Sequence, residues 1–195
     1  MASRLLLSVP IIVAAVGLGA FAQSQNGPPD PVALMNAQRE AMKSLDKMQG
    51  TWRGDAWAIL PDGSKKEMTQ TERSGPMLDG TVRVVEGRGY TKEGKVEFNA
   101  LAVISYSPAT KKFMMKSFAN GQTGEFEVRP TDTGFTWEIP AGPMIIRYTA
   151  TITKDSWHEI GERIMPGKDP IRIVELNLKK IGDTNWPAEG FVKQK

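Results

Sequence analysis

The sequence predicts an all-β fold, a ten-stranded antiparallel up-and-down β-barrel preceded by an N-terminal amphipathic helix. Three observations predict it. Turn signals recur at short intervals after Gly50, among them Pro61-Asp62-Gly63, Leu78-Asp79-Gly80, Lys92-Glu93-Gly94, Ser107-Pro108, Asn120-Gly121, Asp132-Thr133-Gly134 and Lys154-Asp155. The segments between them are too short for most helices and are rich in Val, Ile, Thr, Tyr, Phe and Trp. Several alternate with period two: Val96, Phe98, Ala100, Ala102, Ile104 and Tyr106 share one face, as do Met144, Ile146, Tyr148, Ala150 and Ile152. A meander of such strands exposes its edges unless it curls and closes, which favours a barrel. A two-sheet sandwich is the alternative, and the short ordered hairpins tip the choice toward the barrel.

Residues 1–22 read as a signal peptide. Arg4 is a short basic region, Leu5 to Val16 is apolar, and Ala20-Phe21-Ala22 has the small-x-small pattern of a cleavage site before Gln23. The apolar run falls short of the ~20 residues a membrane span needs. The expected location is therefore periplasmic or secreted, with no stable membrane anchor after cleavage. Residues 23–31, QSQNGPPDP, read as a flexible leader. From Val32 to Met48, Leu34, Ala37 (or Ala41), Leu45 and Met48 fall at helical spacing, and Gly50 ends the helix. Ten strands follow, at 51–60, 65–74, 81–90, 95–106, 111–118, 123–130, 134–139, 144–154, 157–165 and 171–181. Helix and strands make one domain over 32–181, and 182–195 form a C-terminal tail.

Composition excludes several functions. The 25 Lys and Arg and 22 Asp and Glu are interspersed, with a net charge of +3, so no basic stripe suits nucleic acid. The chain has no cysteine, hence no acylated-cysteine anchor, no thiol nucleophile and no disulfides; the core alone must hold the fold. A single histidine cannot build a zinc cluster, and the carboxylates lack calcium-loop spacing, so no metal site is expected. Gly87-Arg88-Gly89 joins no strand to a helix and is not a phosphate loop.

Gly50-Thr51-Trp52, at the start of the first strand and just after a helix, resembles the Gly-x-Trp motif of lipocalins and their calycin relatives. The longer Gly50 to Gly54, GTWRG, is similar to the opening of nitrobindin-type barrels. With MLDG (Met77 to Gly80), SYSPATKKF (Ser105 to Phe113) and DSWHE (Asp155 to Glu159), the body is similar to a lipocalin-like family of exported bacterial proteins known as a domain of unknown function. The resemblance implies that Trp52 closes one end of the barrel under a basic side chain from the last strand. Geometry supplies that partner independently. With an even strand count the last strand runs antiparallel to the first across the seam, and Lys180 shares a face with Val174, Leu176 and Leu178. Lys180 is thereby expected over the Trp52 ring, with Arg172 as the alternative. The nitrobindin resemblance also implies haem on a histidine near the C-terminal end. No histidine follows His158, so neither haem nor any other cofactor is expected.

The lumen is the remaining candidate site. Gln70 and Glu72, with Lys66 and Met68, are candidates to point inward from a strand that is polar on both faces. If Val82 and Val84 face in, Glu86, Arg88 and Tyr90 follow by parity. Tyr106 and Tyr148 complete apolar rows, and Phe98, Phe135, Trp137 and Met115 supply apolar lining. The expected ligand site is Gln70, Glu72, Arg88, Tyr90, Phe98, Tyr106, Trp137 and Tyr148, in a cavity at the end opposite Trp52. Its expected occupant is a small apolar or amphipathic molecule, with an anionic head group if Arg88 points in. The competing readings are an enzyme using lumen Tyr, Arg and Glu, an acid–base pair of His158 with Glu162, and a filled barrel that binds a partner.

Overall fold

The computed structural model describes residues 30–188. The expected signal peptide lies outside the described residues, as do most of the leader and the last residues of the tail.

Asp30 and Pro31, expected in the leader, instead start the helix. The Asp30 carboxylate accepts the Val32 amide at 3.0 Å and Pro31 occupies the first turn, where its missing N–H costs nothing. Helix α1 spans Pro31–Met42 and tightens into a 3-10 helix at Lys43–Met48. Only the lower part of the expected apolar stripe is buried, through Met42, Leu45 and Met48; Val32, Leu34 and Met35 remain exposed.

The ten expected strands are all present: β1 (Gly50–Ile59), β2 (Lys65–Met77), β3 (Val82–Tyr90), β4 (Val96–Ser107), β5 (Lys112–Ala119), β6 (Gln122–Pro130), β7 (Gly134–Ala141), β8 (Met144–Ile152), β9 (Ser156–Ile164) and β10 (Ile171–Gly182). Each pairs antiparallel with its sequence neighbours, and β1 pairs with β10, which closes the barrel and removes every edge. β2 runs three residues past its expected end, through Gly75 and Pro76. There β1 has already ended, since Gly50 pairs Ser74, so the N–H that proline lacks has no ladder to serve. The weakest seam joins β6 to β7, which pair only between Val128–Pro130 and Phe135–Trp137. Above those residues Gln122 to Glu127 and Glu138 to Ala141 are unpaired with each other, and Pro140 lies in that stretch.

The floor of the barrel is its core. Trp52 is 1% exposed, donates its indole N–H to the Met48 carbonyl at 2.9 Å, and meets Trp157 edge-on at 5.8 Å. Leu45, Met48, Ile104, Val128, Phe135, Ile152 and Leu178 pack around them. Lys180 is the register partner of Trp52 on β10, and its Nζ lies 5.9 Å from the ring centroid, as expected across the seam. Arg83, nearly fully buried beneath the lumen, is held by Asp46 of the 3-10 helix at 2.6 Å and faces Ser74 Oγ at 3.5 Å. That ion pair and the apolar residues of the 3-10 helix fasten the helical segment across the barrel end.

Candidate functional site

Above this floor the lumen is not filled. A cavity of about 430 Å³ runs from Met48 and Trp157 toward the end bearing the β1–β2, β3–β4, β5–β6 and β7–β8 turns. Its walls are mainly apolar: Ala56, Met68, Phe98, Ala100, Ala102, Met115, Phe126, Ile139 and Leu176 all contribute. Inward alanines and glycines make the space. A Cβ on Gly87 would come within 2.7 Å of the Glu72 carboxyl, and one on Gly89 within 2.5 Å of the Met68 sulfur. A methyl at either position would displace the end of that flexible side chain within the lumen.

Of the sequence-predicted site residues, the lumen gathers Gln70, Glu72, Phe98, Trp137 and Tyr148. Trp137 and Tyr148 are register partners whose rings stack at 4.2 Å and 8°. Three expectations are corrected. Arg88 and Tyr90 lie on the outer wall, where Arg88 donates from Nε to Glu86 at 2.9 Å. The inward row of β3 is Arg83, Val85, Gly87 and Gly89, register partners of the inward residues Ile104, Ala102, Ala100 and Phe98. The parity argument failed because Val84, although on the outer wall, is also buried; it pairs with Gly75, against which the backbone of Trp186 packs. Tyr106 does face inward, but at the floor, where it packs on Phe113 at 4.9 Å and its carbonyl accepts from Gln38; it does not line the cavity.

The acid–base pair of His158 with Glu162 is not formed. His158 sits on the outer wall, 3.1 Å from Glu175. The lumen therefore offers no histidine to a haem iron, and the donor set does not fit the ligation that a nitrobindin-like barrel implies.

The residue that sequence reading missed is Glu159. It is 8% exposed, faces the lumen between Trp157 and Gly161 on β9, and accepts both indole N–H groups, Trp157 at 3.0 Å and Trp137 at 3.4 Å. Its signal was the alternation of Trp157, Glu159 and Gly161, register partners of the apolar row Leu178, Leu176 and Val174.

Glu159 and Glu72 are the cavity's two carboxyls. Glu72 accepts the side-chain amide of Gln70 at 2.7 Å. Burial pushes the Glu72 carboxyl up to about 8, the Gln70 hydrogen bond pulls it part of the way back, and the nearby Glu159 adds to the rise. Burial raises Glu159 as well, against the pull of its two indole donors. Tyr148 is pushed up to about 12 by burial and then by Glu159. Both carboxyls are thus held toward the neutral form, because taking a charge out of water costs more than these neutral donors return. Lys66 pairs with Glu97 at 2.6 Å, and neither it nor any other lysine or arginine lines the cavity among the described residues.

A closed antiparallel barrel with an apolar lumen and a few polar groups is compatible with small-molecule binding. No protein-family model matches this chain, and no curated protein matches it in sequence.

Proposed function

We propose that this protein is an exported, lipocalin-like up-and-down barrel that binds a small apolar or amphipathic molecule in its lumen without chemically changing it. The observation that carries this reading is the open cavity, of about 430 Å³ with mainly apolar walls, above a fully packed floor. Its size falls within the roughly 300–1,000 Å³ of small-molecule sites. A dry core would close such a space, since interiors pack densely and voids this large are rare. The titratable groups are few, with Glu72 on β2, Tyr148 on β8 and Glu159 on β9, set among mainly apolar walls. The unpaired stretch between β6 and β7 offers a route in, with Gln122, Thr123 and Gly124 at its edge also lining the cavity.

The neutral fluorophore Prodan tests this reading. Its emission should rise and shift to the blue, saturating at one site per chain. Ala100→Phe, which places a ring in the lumen, should abolish the change while leaving the far-ultraviolet circular dichroism intact. Non-saturable enhancement, or binding untouched by Ala100→Phe, would count against the lumen.

A second reading, an enzyme, is supported by one observation: Glu72, pushed up to about 8, is near the Glu159 carboxyl, which in turn is near the Tyr148 phenol. A carboxyl in that range suits general acid–base work at neutral pH. In this reading Glu72, Glu159 and Tyr148 replace the Tyr, Arg and Glu set expected from sequence, and Glu72→Gln would remove turnover while ligand binding persists.

A further inference from the structure

The lumen's polar side is rich in oxygen. The Trp137 and Trp157 N–H groups are already given to Glu159, and one of the two Gln70 amide N–H groups is given to Glu72. Several oxygens remain without a donor. The Gln70 carbonyl oxygen, on a side chain only 3% exposed, has no donor among the described residues, and neither does the second Glu72 oxygen. The Tyr148 hydroxyl, also in the cavity wall, lacks a protein partner among the described residues. Against Glu159 lies the stacked Trp137–Tyr148 pair, a π surface that attracts positive charge. No protein cation lines the cavity among the described residues to satisfy the two carboxyls.

We propose that the polar end of the lumen ligand is a basic amine, seated against the Glu72 and Glu159 carboxyls and the Trp137–Tyr148 stack. This rests on the lumen-binding reading and narrows it to a chemical class: an amine on an apolar body. A neutral amine crosses the apolar lumen more cheaply than an ion and takes the proton held by Glu72. The O–H bond breaks, an N–H bond forms, and the products are an ammonium and a carboxylate within hydrogen-bond reach. The lumen carries no net charge before or after this transfer, and the attraction within the pair together with the surrounding oxygens offsets its desolvation. The ammonium N–H groups then donate to the Glu72 carboxylate and to the neighbouring Glu159 carboxyl.

The alternative head group is an anion. Arg163 faces inward nearer the open end, as the register partner of Ile146, with its Nε buried and unpartnered. It does not line the cavity, whereas both carboxyls do, and an anion beside them would meet two groups that gain charge as pH rises.

Three probes of equal length, octylamine, octanol and octanoate, distinguish these outcomes by calorimetric titration of the full chain near pH 8. Octylamine should bind about tenfold or more tightly than octanol, the discrimination expected of a charge-assisted hydrogen bond between apolar walls. The double variant Glu72→Gln with Glu159→Gln should lower octylamine to the level of octanol while the far-ultraviolet circular dichroism stays that of the parent, which shows that the barrel is intact. Equal affinities, or preference for octanol or octanoate, would overturn the amine assignment and leave lumen binding standing. The comparison in the unaltered protein needs no variant to fold. Octylamine preference that survives the double variant would overturn the seat assigned to it. Saturable binding by none of the three would remove the lumen reading and this inference together.

Discussion

Glu72→Gln is the perturbation whose effect the structure defines most sharply. The folded protein holds the Glu72 proton up to about pH 8, whereas an unfolded chain releases it near 4.5. Between those values the native state binds more protons than the unfolded state, so stability falls as pH rises through the window and levels off above it. Each pH unit of that window corresponds to about 1.4 kcal/mol, which sets a ceiling near 5 kcal/mol for the whole interval. Water admitted to the cavity solvates the carboxylate and brings the expected loss to about 2–3 kcal/mol. Glutamine keeps the shape and the Gln70 contact but cannot ionise, so Glu72→Gln should match the parent near pH 5 and exceed it by about 2–3 kcal/mol at pH 9.

Urea denaturation followed by tryptophan fluorescence at several pH values measures both curves, and their difference cancels titrations common to the two chains. The exposed carboxylates held low by their partners, such as Glu127 beside Lys112 and Asp183 beside Lys180, contribute in the opposite sense. Their contribution is present above their ordinary range and is lost only as pH falls below it, outside this window. A variant less stable than the parent at pH 9, or a constant difference from pH 5 to 9, would refute a Glu72 carboxyl held toward its neutral form in the folded protein.

Three further outcomes are expected. Trp52→Ala should cost about 3–5 kcal/mol in denaturant midpoint experiments, since it empties the centre of the floor beneath Trp157. Asp46→Ala should cost roughly 1–3 kcal/mol by leaving the Arg83 guanidinium buried without its anion; Asp79→Ala, removing an exposed pairing with Arg39, should cost under about 1 kcal/mol in the same assay. Protein recovered from outside the cytoplasm should begin at Gln23 on N-terminal sequencing, and an intact Met1 there would contradict export through a cleaved signal.

The strands were legible because turn chemistry punctuates them: every connection carries Gly, Pro, Asn or Asp signals that local physics reads without tertiary help. The seam was legible too, since antiparallel closure alone places Lys180 opposite Trp52. Which face points inward was harder. On β4 and β8 one face is plainly apolar and the prediction held for Phe98 and Tyr148. On β3 the valines sit on both faces, because the C-terminal segment packs on the outer wall at Gly75, beside Val84, while the inward row carries Gly87 and Gly89 and so gives no apolar signal. Arg88 and Tyr90 were misplaced for that reason. Glu159 was missed for a related one: a carboxylate on a strand ordinarily reads as solvated, and only the paired indole donors from β7 and β9 reveal that it is buried. The boundary near Pro31 moved because Asp30 caps the helix, a contact between adjacent residues that a Pro-rich stretch obscures.

The central claim is that the lumen holds a guest, and native mass spectrometry of the protein purified from its own host tests it most directly. The account predicts a discrete added mass, released on activation and carried by the parent chain but not by Ala100→Phe. A bare chain mass for the parent, or an added mass that Ala100→Phe retains, would contradict it.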